Sequence, residues 1–503
     1  MKKRSSLLFV LMGLVAMFSL VVIPDLGAVT LDSDGDYELG GYLRNTTGVR
    51  MEDSINPTTE GPYASGNKAW SFSMVRTELF LDFSGKFTDE LRFNATARGW
   101  YEAVYGLDTG VNQYPRDLNT VPGPHTNGME MGFDFREYYL TYTPGNFIIK
   151  AGSQQIAWGE ADALRLADVI NPLDLSWNWS FPSWEEIRIP LTMLDVVYNL
   201  PDSKHDLRFE GVWVPADFRP HQFAAPGGNW SLYSGGFGLP DFVGTAVWDQ
   251  MNEDLPTNDL RNGQGGARVS AKFGEWDTSL FGYYQRDQIG VATLDPQVAL
   301  NPQLYPFKWD FPHIMNIGGT FNMYSSMLET VFRGEAAYVI DQPFGTNLGY
   351  NDGKGFAPVT QYGESDTFAF MVGFDKNIML PWANRTKSFY ISGQWFNKWV
   401  LNLESDKYLT FMGQNDAQTY QTVGSLMINT EYFEGKIIPQ VLGVHFFTSG
   451  SGFFDGSLTY KPTYTFSIAA GILKIWGNDN QAGLYFGPMK RNDQLYLKAK
   501  WSF

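Results

Sequence analysis

The residues able to do chemistry are concentrated between positions 150 and 190. Trp158, Glu160, Asp162, Arg165, Asp168 and Asp174 follow one another closely, and Arg188 closes the stretch. Trp177, Trp179, Phe181 and Trp184 form an aromatic cluster between them. Carboxylates and guanidiniums this close can neutralise one another in pairs. Across a narrow wet gap they instead set up a field that sorts solutes by charge and size. The neighbouring aromatic faces add a greasy or stacking surface. The spacing predicts a short helix over 160–170, with Ala163, Leu166, Ala167 and Ile170 on one face and Asp162, Arg165 and Asp168 on another. Asn171-Pro172 ends it, because the residue before proline avoids the α region.

Other chemistry is weakly represented. The five histidines, His125, His205, His221, His313 and His445, are scattered, and none has a nucleophile at triad-like spacing. The run Asp32-Ser33-Asp34-Gly35-Asp36 has carboxylates at alternate positions, as a hard cation prefers. It lacks the glycine placement and closing glutamate of a calcium loop and reads as a solvated linker. Gly263-Gln264-Gly265-Gly266 is a loop with no helix pattern behind it to cradle a phosphate. The expectation is no enzyme, no metal site and no cofactor.

Composition narrows the class. The chain has 503 residues, no Cys and a net charge of −17. The missing thiols remove disulfide scaffolds, thiolate metal sites and Cys nucleophiles. The acidity speaks against nucleic-acid binding, which neutralises phosphates. The aromatic load of 38 Phe, 26 Tyr and 16 Trp speaks against disorder. A mean hydropathy of −0.23 is too low for a helical membrane protein.

The elements that must position the charged stretch are strands. In 91–103, Leu91, Phe93, Ala95, Ala97, Gly99, Tyr101 and Ala103 alternate with Arg92, Asn94, Thr96, Arg98, Trp100 and Glu102. In 75–83, Val75, Thr77, Leu79, Leu81 and Phe83 alternate with Arg76, Glu78 and Asp82. In 328–340, Leu328, Phe332, Ala336, Tyr338 and Ile340 oppose Glu329, Arg333 and Glu335. Side chains of a strand alternate between its faces, so each segment has one apolar and one charged face. A soluble sandwich and a membrane barrel both fit that pattern. Strand length and aromatic density favour the barrel.

Short links recur near 85–90, 143–146, 201–206, 274–275, 324–326, 434–436 and 461–463. Between them lie long segments near 50–68, 104–131, 158–186, 215–265, 287–313, 341–365, 399–424 and 474–493. The link 377–387 is longer than a periplasmic turn should be. Short turns alternating with long outer loops give an all-β fold: a transmembrane antiparallel up-and-down β-barrel of about 18 strands, with 16 as the alternative. Strands near 453–461 and 463–473 are weakly patterned. The segment 158–186 is then the third outer loop. It is too apolar to lie in water, so it is expected to fold into the lumen with its short helix.

Lys2, Lys3 and Arg4 precede an apolar run from Leu7 to Ile23, and Leu26-Gly27-Ala28 offers a cleavage site. Residues 1–28 read as a secretory signal peptide, leaving 29–503 as one barrel domain. The last residues alternate Leu495, Leu497, Ala499, Trp501 and Phe503 against Tyr496, Lys498, Lys500 and Ser502. A chain ending this way resembles the closing strand of bacterial outer-membrane barrels. That resemblance implies that Phe503 helps the barrel assembly machinery recognise the chain.

The elements Trp158-Gly159-Glu160, Asn171-Pro172-Leu173-Asp174 and Glu186-Ile187-Arg188-Ile189-Pro190 resemble a porin-like outer-membrane family known as a domain of unknown function. The specific resemblance covers residues 147–200. More loosely, Gly152-Ser153-Gln154-Gln155 is similar to a segment of alginate-export barrels, with Ser153 where those carry Arg. The family implies an outer-membrane channel without a defined substrate.

The resulting expectation is a channel of the Gram-negative outer membrane that passes small solutes, with a tilt toward hydrophobic or aromatic ones. Trp158, Glu160, Asp162, Arg165, Asp168, Asp174 and Arg188 would line a constriction, or form a plug that only stabilises the barrel. The lumen wall would carry Arg76, Glu78, Arg92, Arg98, Glu102, Glu329, Arg333 and Glu335, as ion-preference groups or as mutual ion pairs. Expected partners are the lipid bilayer and its lipopolysaccharide, the assembly machinery and a small-molecule solute. A homo-oligomer or periplasmic partner is compatible. The alternative is a barrel sheath around a partner such as a multihaem cytochrome.

Overall fold

The computed structural model describes residues 28–52, 69–107, 130–177, 183–223, 230, 255, 259–294, 307–346, 362–404, 408–409, 419–477, 489–490 and 492–503. Residues 1–27 of the expected signal peptide, Trp179 and Phe181 lie outside the described residues.

The alternating segments form the wall of a closed antiparallel barrel of 18 strands. In chain order they are β1 (Tyr37–Arg50), β2 (Phe72–Lys86), β3 (Leu91–Glu102), β4 (Met131–Tyr142), β5 (Phe147–Gln154) and β6 (Leu191–Asn199). Next come β7 (Arg208–Val214), β8 (Gln264–Phe273), β9 (Trp276–Arg286), β10 (His313–Ser325), β11 (Thr330–Thr346) and β12 (Gly363–Ile378). The last six are β13 (Phe389–Val400), β14 (Tyr420–Asn429), β15 (Ile437–Phe446), β16 (Ser451–Tyr460), β17 (Phe466–Trp476) and β18 (Gln494–Ser502). The alternative of 16 strands is overturned, because β16 and β17 pair in full register from Gly452↔Trp476 to Tyr460↔Ile468.

Closure is made by β1 and β18, with Arg44 opposite Lys500 and Thr46 opposite Lys498. Residues opposite one another in an antiparallel pair share a face, so these charges meet inside. Phe503 completes the seam: its N–H donates to the Gly41 carbonyl, and the Gly41 N–H donates back, each at 3.0 Å. Gly41 has no room for a side chain, since a Cβ there would lie 2.2 Å from the Phe80 carbonyl oxygen.

Which face points out separates barrel from sandwich. Leu79, Phe133, Phe135, Leu140, Leu280, Ile317, Val372, Leu426, Leu458 and Leu497 are all exposed. Arg44, Arg76, Glu78, Arg98, Glu210 and Glu335 are all buried. A protein folded for water has the opposite arrangement. A spanning barrel needs this one, with an apolar band outside and backbone groups paired by closure.

The strand ends follow the expected alternation, with connections at one end short. The long link of that end, between β12 and β13, is compacted by Asn384. Its side-chain NH₂ donates to Thr430 Oγ1 and the Glu431 carbonyl, and its Oδ1 accepts the N–H groups of Thr386 and Lys387. At the other end, the β15–β16 connection is only the turn 447–450, where Gly450 takes φ +65°.

Candidate functional site

The third outer loop, 155–190, turns into the lumen and is held there from several sides. Its two ends are clipped together by Asn171, which is fully buried. Asn171 Oδ1 accepts the Ile156 N–H at 2.8 Å, and its Nδ2 donates to the carbonyls of Gln154 and Ile189.

The helix expected over 160–170 is absent; the segment is a run of bends. Its backbone donors go to the wall instead. The Glu335 carboxylate on β11 accepts the N–H groups of Glu160, Ala161 and Ala167, the last at 2.8 Å. Gln394 Oε1 on β13 accepts the N–H groups of Asp162 and Ala163. Arg333 on β11 donates to the Glu160 carbonyl at 2.8 Å and to the Asp162 carboxylate. The first four donors of a helix over 160–170 have no partner inside it, but the Ala167 N–H would belong to its ladder and goes to Glu335 instead. Among the loop's described residues a turn of α-helix lies later, at Trp184–Ile187.

The opposite side is held by cations. Arg44 on β1 grips the Glu186 carboxylate with two hydrogen bonds of 2.6 and 3.0 Å and also pairs with Glu78. Arg98 on β3 pairs with Asp134 and Asp174. Arg136 on β4 donates to the carbonyls of Arg188 and Glu185. Arg136 reaches inward through a β-bulge, as the pairing with β3 skips it between Phe135 and Glu137. A bulge of this kind re-aims one side chain. Its signal in the sequence is the phase slip at Arg136-Glu137, between exposed Phe133 and Phe135 and exposed Tyr138 and Leu140.

The expected constriction residues divide into two groups. Trp158, Asp168, Asp174 and Arg188 are buried. Trp158 donates Nε1–H to Glu210 at 2.9 Å and packs against Phe281 and Tyr283. Asp168 lies between Arg165 and Arg188, at 3.1 and 2.7 Å. Glu160 is half-buried and Asp162 exposed. These two, with Arg333 and its second partner Asp375, form the wetter rim. Leu173 donates its N–H to His221 Nδ1 in the next outer loop. Burial and the Arg165 charge hold the His221 imidazole down to about 3.

Among the expected wall residues, Arg76, Glu78, Arg98, Glu102 and Glu335 are buried. Arg76 and Glu78 pair at 3.6 Å, and the Arg76 guanidinium is sandwiched between Trp100 and Trp177. Arg92 is exposed at the short-turn end of β3. Glu329 is not in the wall: it sits exposed in the turn before β11 with φ +50°. The carboxylates of Asp32, Asp34 and Asp36 come within 4.8 Å of one another beside β1. Asp32 there accepts the Tyr37 N–H, the task of a turn residue leading into a strand.

A second wall has a different character. Met371, Phe396, Val423, Val444, Phe446, Phe453, Leu473 and Ile475, from β12 to β17, form a buried apolar cluster. Ala163, Phe223, Trp230 and Met489 from outer loops join it. The loop therefore lies between a charged wall over β1–β4 and an apolar wall over β12–β17.

A family model described as "Protein of unknown function (DUF1302)" matches residues 8–503. No curated protein matches the chain in sequence. Among solved structures, OccAB1 of Acinetobacter baumannii is similar with a TM-score of 0.47 and 9% identity, over 95% of this chain and 97% of that one. OmpF of Salmonella typhi, in a complex with daunomycin, is similar with a TM-score of 0.42 and 9% identity, over 94% and 99%. The outer membrane channel DcaP of Acinetobacter baumannii is similar with a TM-score of 0.40 and 13% identity, over 95% and 100%.

Proposed function

We propose that this chain, which belongs to the family described as a protein of unknown function (DUF1302), is an outer-membrane channel whose third outer loop governs passage. The observation that carries the reading is the position of that loop. It is tied by side chains to β1, β3 and β4 on one side and to β11 and β13 on the other. A segment whose only role was to cover the barrel mouth would not need anchors around the inner wall.

The solute class follows from the two walls. Inward-facing residues of a water-filled barrel are polar. Here one sector is apolar, from Met371 to Ile475, and the loop presents Ala163, Leu164 and Leu166 to it. A solute that parts the loop from that sector meets hydrocarbon on one side and the Glu160, Asp162 and Arg333 rim on the other. That favours a small hydrophobic or aromatic molecule with a polar end over a hydrated ion. The exposed apolar outer faces support a barrel standing in a lipid bilayer, which for a strand-built span is an outer membrane. A sleeve around a second protein is disfavoured, because the chain's own loop occupies the space a partner would need.

The test is single-channel recording of the purified barrel in a planar bilayer, with aliphatic and aromatic solutes as blockers. Small discrete steps blocked by an aromatic acid but not by a sugar support the reading. A folded barrel that neither conducts nor transports any of these solutes in liposomes overturns it.

A further inference from the structure

The outward side of the apolar sector carries a groove. It has a volume of about 610 Å³, is open along one side, and crosses the face of β11 to β17. Its floor is Gly424 and Gly443, and its flanks are Trp395, Phe447, Trp476 and Phe374. The strand register puts these on one face, with Trp395 opposite Gly424, Gly424 opposite His445 and Leu426 opposite Gly443. Trp395 and Leu426 are exposed, so that face is the outer one. A Cβ built on Gly443 would meet nothing within 4 Å. The hollow exists because this strand has no side chain there.

The groove has two chemically different ends. Near the 447–450 turn, at the long-loop rim, Trp476 donates Nε1–H to His445 Nδ1 at 3.2 Å. A neutral imidazole accepting at Nδ1 keeps its proton on Nε2 as a donor. Tryptophan at this level marks the boundary between headgroups and hydrocarbon. Away from the rim the lining is Leu426, Phe374 and Phe332, without a charged side chain.

We propose that this groove is a seat for one acyl chain of an outer-leaflet lipid, with the lipid's polar end at His445 and Trp476. The inference rests on the outer-membrane reading above. The order from polar rim to apolar depth is that of a lipid molecule standing in a leaflet. The volume lies in the roughly 300–1,000 Å³ range of sites for single small molecules. A stable second copy would instead need to cover at least about 1,000 Å² of wall with a complementary ridge.

The experiment reconstitutes the full chain into nanodiscs of phosphatidylcholine bearing a photoactivatable acyl chain and maps the labelled residues. Labelling over 393–395, 424–426 and 443–447 is expected to exceed that over 269–284 several-fold. Gly443→Leu, whose Cβ meets nothing within 4 Å and whose branched end occupies the hollow, should abolish the excess. Leu280→Phe, on another exposed part of the wall, should leave it intact. Even labelling of an inserted barrel, or an excess that survives Gly443→Leu, overturns the proposal. So does a stable oligomer whose contact shields this face from label. A chain that does not insert at all would instead overturn the membrane reading beneath it.

Discussion

Glu335, on the wall strand β11, accepts the backbone N–H of Ala167, in the third outer loop, at 2.8 Å. The same carboxylate accepts the N–H groups of Glu160 and Ala161. One wall residue thus holds a loop segment at both ends and fixes how far it stands from β11. Hydrogen bonds to a charged group contribute about 1.5–3 kcal/mol each. The arrangement is strong locally but leaves the barrel's own ladder untouched.

Glu335→Ala should therefore free the segment 160–167 without preventing assembly. The expected result is a several-fold higher conductance with noisier open levels, and unchanged heat-resistant migration of the folded barrel. Glu335→Gln retains acceptor oxygen and should fall between. A folded Glu335→Ala barrel with wild-type conductance would show that the carboxylate does not set the aperture.

Removing residues 160–183 should go further. That deletion takes out Asp162, Arg165, Asp168 and Asp174 together with the loop's part of the apolar cluster, Ala161, Ala163, Leu164, Leu166 and Leu175. A wider pore with weaker discrimination among solutes is expected, measured by liposome swelling with a graded series of solutes. Equal swelling rates in the deletion and the parent would remove the loop from the transport path.

Much of this architecture was legible in the sequence because alternation and loop length obey the geometry of a closed sheet. The charged faces of 75–83 and 91–103 point inward as their period dictates. The weak patterning near 453–473 had a physical cause: at the outer-loop ends of these strands Phe453, Leu473 and Ile475 face an apolar lumen, so both faces are apolar there, while Asp455, Ser457 and Thr459 keep the rest of the inner face polar. The helix misread over 160–170 failed for a different reason. Local periodicity was present, but Glu335, distant in sequence, took the Ala167 donor that its ladder needs. Glu329 was misplaced because the strand begins one residue after it, at Thr330. Arg136 was missed because a strict period of two has no place for a bulge.

Asn171→Ala should uncouple the loop's ends. It orphans the buried Ile156 N–H, a loss of about 1–3 kcal/mol for an unsatisfied buried group, and also frees two carbonyls. Protease susceptibility within 155–190 is expected to rise while the barrel core stays resistant. If the variant's loop resists protease as the parent's does, the clip is not what fixes the loop.

His221 makes the packing sensitive to acid. Its folded value of about 3 lies below its ordinary 6.5. The loosened loop therefore binds a proton below pH 6.5, while the packed loop does not until near pH 3. Packing is at full strength above pH 6.5 and weakens as the pH falls through that window. Conductance is expected to rise between pH 7 and pH 4.5 in the wild type. His221→Gln, which keeps an acceptor and cannot titrate, should flatten that rise. An identical pH profile in the variant would assign the effect to another group.

The apolar wall gives the most direct test of solute class. Phe396, Val444 and Phe453 are buried and face the lumen beside the loop. Val444→Thr keeps the β-branching that favours a strand while replacing a methyl with a hydroxyl, at a modest cost in packing. A solute that displaces the loop from that wall then loses apolar contact, whereas a hydrated ion at the Asp162 and Arg333 rim does not. An aromatic acid should cross Val444→Thr liposomes more slowly, with potassium conductance nearly unchanged. Phe396→Tyr on the neighbouring strand should act in the same direction, because its hydroxyl enters the same sector. A parallel fall in both solutes would mean that the substitution merely distorts the barrel. No change in either would mean that transport does not follow this wall, leaving the charged sector over β1–β4 as the route.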